Sequence, residues 1–465
     1  MSAEPLDGFF ELLAEAQRRL DDGYTGLPAK PTPSLGEAAS AILNEVAVKL
    51  RDNYPYAHPL YAGQMLKPPH PIARAAYTLA MSVNPNNHAL DGGRASSAME
   101  IEAVAALAEM FHWPDHLGHL TSGGTFANLE ALWVAGQLAP GKSIAASDQA
   151  HYTHSRISGV LGLPFITIPS DETGRIDLRA LEALLQTRNI GTVVVTLGTT
   201  ATGAVDPLDE ILKLQQRHNF RIHVDAAYGG YFTLAANLSP ETRAAFDAIP
   251  QADSIVIDPH KHGLQPYGCG CILFRDPAVG CFYKHDSPYT YFSSKDLHLG
   301  EISLECSRAG ASAVALWATQ QLLPYIPGGI FAQNLEFSRF AALELHRRLV
   351  ASPHFVTPAS SPELDIVFWA VNSPNSQLSS ALAQRIFDEA ARRDLHLALA
   401  KLPTRLFPLG TWPQAEQTET VTCLRSVLMK PEHFPWIGQI WQRLDAAAST
   451  SMPSNPHSDT ALEPN

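Results

Sequence analysis

The sequence predicts an α/β protein with a large, mostly parallel sheet covered by helices on both faces, followed by a smaller α+β domain. Three observations carry that reading. Between about residues 140 and 275, short apolar runs alternate with helical stretches. Polar side chains fall just past the ends of those runs, where an α/β sheet lines its ligand crevice. Beyond residue 320 the remaining helices and strands make up a second, smaller group.

Taken in order, residues 6–20 form an amphipathic helix, with Phe9, Leu12, Leu13, Ala16 and Leu20 at helical spacing. A proline-rich connector at 27–33 leads to a second helix at about 35–50. This arm, residues 1–55, docks either on its own body or on another subunit. Residues 56–320 are the large domain. Its first part is polar and irregular and carries His58, Tyr61, Gln64, Lys67, Asn87 and His88; a helix follows at 98–111. Another helix, at 126–135, is preceded by Thr121-Ser122-Gly123-Gly124-Thr125. Strands are expected at 143–147, 165–168, 193–197, 222–225, 255–258 and 271–274. The small domain, 321–448, has helices at 331–349, 381–393 and 436–447 and strands at 364–371, 395–400 and 422–429. Residues 449–465 are polar, contain proline and read as a disordered tail.

At 465 residues and 45% hydrophobic content the chain can bury a large core and build more than one domain. A net charge of -13, spread along the sequence, argues against nucleic acid as a partner. Cys269, Cys271, Cys281, Cys306 and Cys423 make an odd set without a paired CxxC framework, so neither disulfides nor a zinc site is expected. The first twenty residues carry acids where a signal peptide has basic ones, and no apolar run is long enough to span a bilayer. A cytoplasmic protein with no membrane partner is the expectation.

Two residues define one reaction centre. Asp225 ends the run Arg221-Ile222-His223-Val224, and Lys261 lies just past Ser254-Ile255-Val256-Ile257, in Asp258-Pro259-His260-Lys261. A carboxylate and an amine delivered to one crevice suit pyridoxal 5'-phosphate, which takes a lysine as Schiff base and a carboxylate against its pyridine nitrogen. Each residue alone has a plainer reading, Asp225 as a helix cap or turn acid and Lys261 as a surface charge. The two glycines and two hydroxyls before the 126–135 helix place free amides and the positive end of a helix dipole where a phosphate binds. The alternative is a glycine turn with Thr125 as an ordinary N-cap. His151, in Asp148-Gln149-Ala150-His151, and Thr200, in Gly198-Thr199-Thr200, follow two further strands. Four strand ends converging on one rim call for a ligand.

HLTSGGTFANLEAL, SDQAHYTHSRISGVLGL, TLGTTATGAVDPLDEI, HVDAAYGGYF and DSIVIDPHKHGLQPYGCG together resemble, in content and order, the group II PLP-dependent amino-acid decarboxylases. That family takes in glutamate, aspartate, tyrosine, aromatic-amino-acid and diaminobutyrate decarboxylases. The resemblance covers residues 55–320 well and the remainder loosely. It implies the PLP-dependent transferase fold type I, aspartate aminotransferase-like, with a seven-stranded-type sheet, and a homodimer whose active site lies at the interface. Position by position it implies that Lys261 holds the cofactor, Asp225 meets the ring nitrogen and His151 stacks on the ring. Gly124, Thr125 and His260 match phosphate contacts, Thr200 a contact on the ring-hydroxyl side, and Ala227 the small residue under the ring. HPLYAGQ resembles a segment that makes Gln64 a substrate contact, and Arg425 is a candidate partner for the substrate carboxylate. LECSR resembles a segment near the cofactor at the subunit interface, which makes Ser307 a candidate phosphate contact from the partner. Residues 283–299 fall where the family has a loop whose tyrosine protonates the substrate α-carbon, so Tyr289 and Tyr291 are both candidates, with His151 as a third. The chain departs from the family in having His262 where a tryptophan often follows the lysine.

The implied activity is decarboxylation of an L-amino acid to its amine and CO2. An aldehyde synthase, another lyase or transaminase of the same fold, and a PLP-binding protein without turnover are the rivals. The substrate stays open among acidic, aromatic and diamino acids. Gln64 with Lys67 or Arg94 suits an acid, whereas Tyr289, Tyr291 and Phe292 suit an aromatic ring.

Overall fold

The computed structural model describes residues 6–28, 36–88, 92–284, 303–414 and 417–452. They form two compact units, the first made of the described residues up to 58 and between 66 and 336, the second of 59–65 and the described residues from 337 on.

The first unit begins with α1 (Leu6–Asp22), α2 (Gly36–Leu50), α3 (Pro71–Met81) and α4 (Arg94–Met110). It continues through β1 (Leu117–Thr121), α5 (Gly124–Leu138), β2 (Ser143–Ser147), α6 (Thr153–Val160), β3 (Phe165–Ile168) and α7 (Leu178–Thr187). Then come β4 (Ile190–Thr196), α8 (Leu208–His218), β5 (Arg221–Asp225), α9 (Pro240–Asp247), β6 (Ser254–Ile257), β7 (Gly270–Phe274) and α10 (Gly310–Leu322). The sheet order is β1-β7-β6-β5-β4-β2-β3. Pairs β2/β3, β2/β4, β4/β5 and β5/β6 are parallel, whereas β7 runs antiparallel to both β1 and β6.

Helices on both faces explain the composition of the strands. Every residue of β4, β6 and β7 is buried, and such strands read as unbroken apolar runs rather than alternating ones. Registers Thr196↔Asp225 and Asp225↔Val256 put the carboxyl ends of β4, β5 and β6 side by side. The loop after β4 is fixed by Asp206, fully buried, whose two oxygens accept the Ile176 and Thr196 amides at 2.7 Å each.

β1, which the sequence reading did not anticipate, is pinned by a buried ion pair. Arg308 Nη1 donates to Glu100 Oε1 at 2.6 Å and to the Leu120 carbonyl at 2.8 Å, while the Leu120 amide donates to the same Glu100 oxygen at 3.0 Å. α3 emerges from the stretch read as irregular. Pro71 starts it, the His70 imidazole accepts the Ile72 amide, and α10 packs along it.

In the second unit β8 (Phe355–Val356), β9 (Ile366–Val371), β10 (Ala398–Pro403) and β11 (Thr420–Val427) form an antiparallel sheet in the order β10-β11-β9-β8. α12 (Ser376–Ala391) packs on β9 and β11 and against α13 (His433–Ser451), around Trp369, Leu382, Ile386, Leu424, Ile440 and Leu444. The long helix α11 (Ile330–Ala351) adds Leu345 and Leu349 to that core. Segment 59–65 belongs here because its backbone is taken up by this unit. The Ala62 amide donates to the His396 carbonyl, the His396 amide to Leu60, and the Val427 amide to Ala62, each at 2.9 Å. The tail expected from residue 449 is helical as far as Ser451, and from 453 onward it lies outside the described residues.

Candidate active site

The carboxyl ends of the first unit's strands enclose a cavity of about 450 Å³. Its walls carry Gly124, Thr125, His151, Thr200, Asp225, Ala227, His260 and Lys261, so all eight cofactor-binding residues expected from the sequence come together there. Ser122, Gly123, Phe126, Asn128, Thr153, Thr196, Gly198, Tyr228 and Asp258 also line it.

At the α5 end, Gly123 is the N-cap and makes no side-chain capping bond, so Thr125 is a first-turn residue and not the cap. Within that turn the Phe126 and Ala127 amides donate to the Gly123 carbonyl at 2.9 and 3.0 Å, and Gly124 and Thr125 line the cavity at the positive end of a 15-residue helix. A Cβ on Gly124 would sit 2.7 Å from Asp258 Oδ2, which is why only glycine fits between the helix start and the end of β6. Behind the turn, a Cβ on Gly270 would lie 2.5 Å from the Gly123 carbonyl carbon, so β7 passes directly beneath.

Lys261 and Asp258 follow β6. Lys261 Nζ lies 3.1 Å from Asp258 Oδ2, and His260 Nε2 lies 3.5 Å from the same oxygen. Asp258 Oδ1 and His260 Nδ1 are buried without a hydrogen-bond partner among the described residues. Burial pushes the His260 imidazole below its ordinary pKa, against the opposing pull of Asp258. Its ring stacks at a tilt on Tyr267, 4.8 Å between centroids.

Asp225 is differently placed. Oδ2 accepts from His154 Nε2 at 2.8 Å and from Asn128 Nδ2 at 3.4 Å, and Oδ1 accepts the Ala227 amide at 3.1 Å. Burial would raise this carboxyl, but the His154 hydrogen bond and charge, the Lys261 ammonium and the Ala227 amide together hold it well below the usual carboxylate range. Behind Asn128, His223 Nε2 bonds to its Oδ1 at 2.8 Å, and His223 Nδ1 bonds to Ser254 Oγ at 2.9 Å. Burial lowers the His223 pKa to about 3, so this imidazole is neutral. His154, Asn128 and His223 were not among the expected site residues. His223 shares the strand face of Asp225 at i−2, the one sequence signal that could have marked it; the other two approach from α6 and α5.

His151 shares a 2.7 Å hydrogen bond between Nδ1 and Thr153 Oγ1, which fixes its ring orientation. Burial lowers its pKa, partly offset by Asp225. His262 is buried, with its ring edge-on to Tyr228 at 4.7 Å and Phe232 at 5.1 Å. Burial and the Lys67 and Lys261 charges keep it far below its usual pKa, so the wall beside the lysine is an uncharged ring, as a tryptophan's would be. Asn86 Nδ2 donates to Ser307 Oγ at 3.2 Å. Gln64 and Arg425 belong to the second unit, where Arg425 Nη1 donates to Gln64 Oε1 at 3.1 Å. Tyr289, Tyr291 and Phe292 lie outside the described residues.

An amine and a carboxylate on adjacent strand ends, an open helix N-terminus and two unpartnered buried polar atoms fit pyridoxal 5'-phosphate: a group with an aldehyde for Lys261, a ring nitrogen for Asp225 and a phosphate for the α5 turn. The fold and site are those of a PLP-carrying α/β enzyme. Residues 33–323 match the family model described as the pyridoxal-dependent decarboxylase conserved domain, and the chain belongs to that family. An L-tyrosine decarboxylase from Enterococcus faecium is 28% identical over 466 residues, covering 76% of each chain. A probable L-tyrosine/L-aspartate decarboxylase from Methanothermobacter thermautotrophicus is 31% identical over 265 residues, 55% of this chain and 69% of its own. Among solved structures, Oryza sativa TDC with PLP and tryptamine superposes with a TM-score of 0.77 at 17% identity, covering 97% of this chain and 99% of its own. Mouse CSAD in its apo form gives 0.75 at 22% identity and 90% of each chain. The fold is thus the fold type I architecture of PLP-dependent decarboxylases, the cofactor is PLP, and the protein is a carboxy-lyase acting on an L-amino acid. No helix among the described residues is long and apolar enough to cross a membrane.

Proposed function

We propose that the substrate is an aromatic L-amino acid, L-tyrosine first, converted to its amine and CO2. The observation that carries this reading is the co-extensive likeness to an L-tyrosine decarboxylase, over 76% of both chains. Phe126 and Tyr228 in the cavity wall suit an aromatic ring. Several archaeal relatives are named for aspartate as well as tyrosine, which makes L-aspartate the second substrate to test.

When bound, the cofactor supplies a covalent hold on the substrate amine and a sink for the electron pair left when the carboxylate departs. Lys261 Nζ would carry the cofactor, and Asp258 Oδ2 would receive that ammonium whenever the lysine is released. Asp225 would keep a proton on the ring nitrogen. His151, neutral and fixed by Thr153, would lie against the ring and hold its tilt. The α5 turn at Gly124 and Thr125, with His260, would take the phosphate, Thr200 the ring-hydroxyl side and Ala227 the space under the ring. One proton must reach the α-carbon in place of the lost carboxylate, and Tyr289 or Tyr291 is its proposed donor. Gln64 and Arg425 are proposed for the substrate carboxylate.

We read the protein as a cytoplasmic homodimer with the active site at the subunit interface and with large and small domains at 56–320 and 321–448. Its five cysteines are all free, as suits a reducing compartment. The test is to incubate PLP-loaded protein with L-tyrosine, L-aspartate, L-glutamate and L-2,4-diaminobutyrate and to follow CO2 and the organic product. Tyramine and CO2 in equal amounts support the reading; aldehyde with peroxide makes the protein an aldehyde synthase, and turnover of aspartate alone replaces the substrate.

A further inference from the structure

The carboxylate of Asp225 is surrounded by a built hydrogen-bond network whose polarity is set throughout. His223 is neutral and holds one ring proton. Asn128 can donate Nδ2–H to Asp225 only if its Oδ1 faces His223, so that proton lies on His223 Nε2, and Nδ1 accepts the Ser254 hydroxyl. The sequence Ser254 to His223 to Asn128 to Asp225 is therefore a row of donors all pointing at one oxygen. His154 meets that oxygen from the other side at 2.8 Å, the shortest contact Asp225 makes to a described side chain. Both imidazoles are 1% exposed and cross edge-to-face at 6.5 Å between centroids. His154 Nδ1 has no hydrogen-bond partner among the described residues, so its one hydrogen-bonding task there is to Asp225.

We propose that His154 is a positioning residue which, through its Nε2–H donated to Asp225 Oδ2, holds that carboxylate ionised and aimed at the cofactor ring, and so sets how tightly the cofactor is held. This rests on the reading that Asp225 meets the ring nitrogen. A carboxylate in a buried site needs several donors to stay ionised, and those donors must not rotate when the ring arrives. Asn128 alone, at 3.4 Å, is a long donor. His154 supplies the short one. Lys261, whose charge also favours the ionised carboxylate, would be taken up in holding the cofactor, which leaves His154 as the short donor beside the longer ones from Asn128 and the Ala227 amide.

The test uses apoenzyme and holoenzyme of the full chain. His154→Phe keeps a ring of similar size without the donor, and His154→Gln keeps an N–H donor without the ring. Asp225→Asn is the reference for loss of the carboxylate itself. The readouts are the cofactor dissociation constant by equilibrium dialysis, the visible spectrum of the bound cofactor, and kcat and KM separately. His154→Phe is expected to weaken cofactor binding by about ten- to a hundredfold, the weight of a hydrogen bond to a charged group. It should shift the spectrum toward that of Asp225→Asn and lower kcat with little change in KM, and His154→Gln should restore most of each. If His154→Phe fails to fold, His154→Gln decides: wild-type cofactor affinity and kcat support a donor role, whereas values matching Asp225→Asn overturn it. Wild-type affinity and spectrum in a folded His154→Phe overturn the proposal while leaving the decarboxylase reading intact. Full activity in Asp225→Asn would instead overturn the assignment of Asp225 on which it stands.

Discussion

Asp225 and Asp258 end neighbouring parallel strands, both are buried and both line one cavity, yet their surroundings are opposite. Asp225 receives donors at both oxygens, from His154, Asn128 and the Ala227 amide. Asp258 has its Oδ2 against Lys261 and His260, while Oδ1 lacks a partner among the described residues. The difference separates two uses of a buried acid. One carboxylate is held by donors within the protein; the other faces the lysine and the histidine proposed to hold the cofactor.

Four measurements break or sharpen that contrast. Lys261→Ala is expected to lower turnover about a thousandfold or more, and Asp225→Asn about a hundred- to a thousandfold, read as kcat/KM at saturating cofactor. Equal and mild effects at the two positions would abolish the distinction. The Asp225 side should also be acid-sensitive. The folded pKa of His223 is about 3 against an ordinary 6.5, so below pH 6.5 the unfolded chain binds a proton that the folded one refuses. Its stabilising contribution is complete above that value and falls through the window from 6.5 to 3, by about 2 kcal/mol at pH 5. Comparing denaturant unfolding of wild type and His223→Gln at pH 8 and pH 5 checks it, since the variant should lose less between the two. On the Asp258 side, Gly124→Ala drives a methyl into Oδ2 and is expected to cost about 1–3 kcal/mol in thermal unfolding, together with weaker cofactor binding. The smallest effect belongs to Asp258→Asn, about a tenfold loss in kcat/KM with the cofactor still bound. A loss as deep as that of Asp225→Asn would mean that Asp258 is a fixed charge as well.

Much of this was legible in the residues themselves. β2, β4, β5 and β6 are short apolar runs with polar residues at or just past their ends, and burial on both faces of a parallel sheet is what makes such runs readable. Lys261, Asp225, His151 and the glycine turn stood out for the same reason, as chemistry displaced to strand ends. β1 escaped because Leu117–Thr121 contains Gly118 and His119, unusual in a buried strand. The structure accommodates them by bringing Leu273 within 2.5 Å of where a Gly118 Cβ would stand and by setting His119 Nε2 2.9 Å from Glu130. His154 and Asn128 escaped because they reach Asp225 across 71 and 97 residues of chain, a proximity that no local pattern encodes. Asp258 was read as the end of the 255–258 strand and given no role, and its pairing with Lys261 becomes visible only in the turn that follows β6.

The reversed strand has a consequence for synthesis. β1 sits at the edge of the sheet and has β7 as its partner there, but β7 begins at Gly270, long after β1 ends at Thr121. At about 5–20 residues per second a ribosome takes roughly 7–30 s to supply it. Throughout that interval β1 and the face of α5 destined for β7 wait without their shared partner, an invitation to chaperones. The turn between them, at Gly123 and Gly124, can therefore take its final shape only once Gly270 lies beneath it.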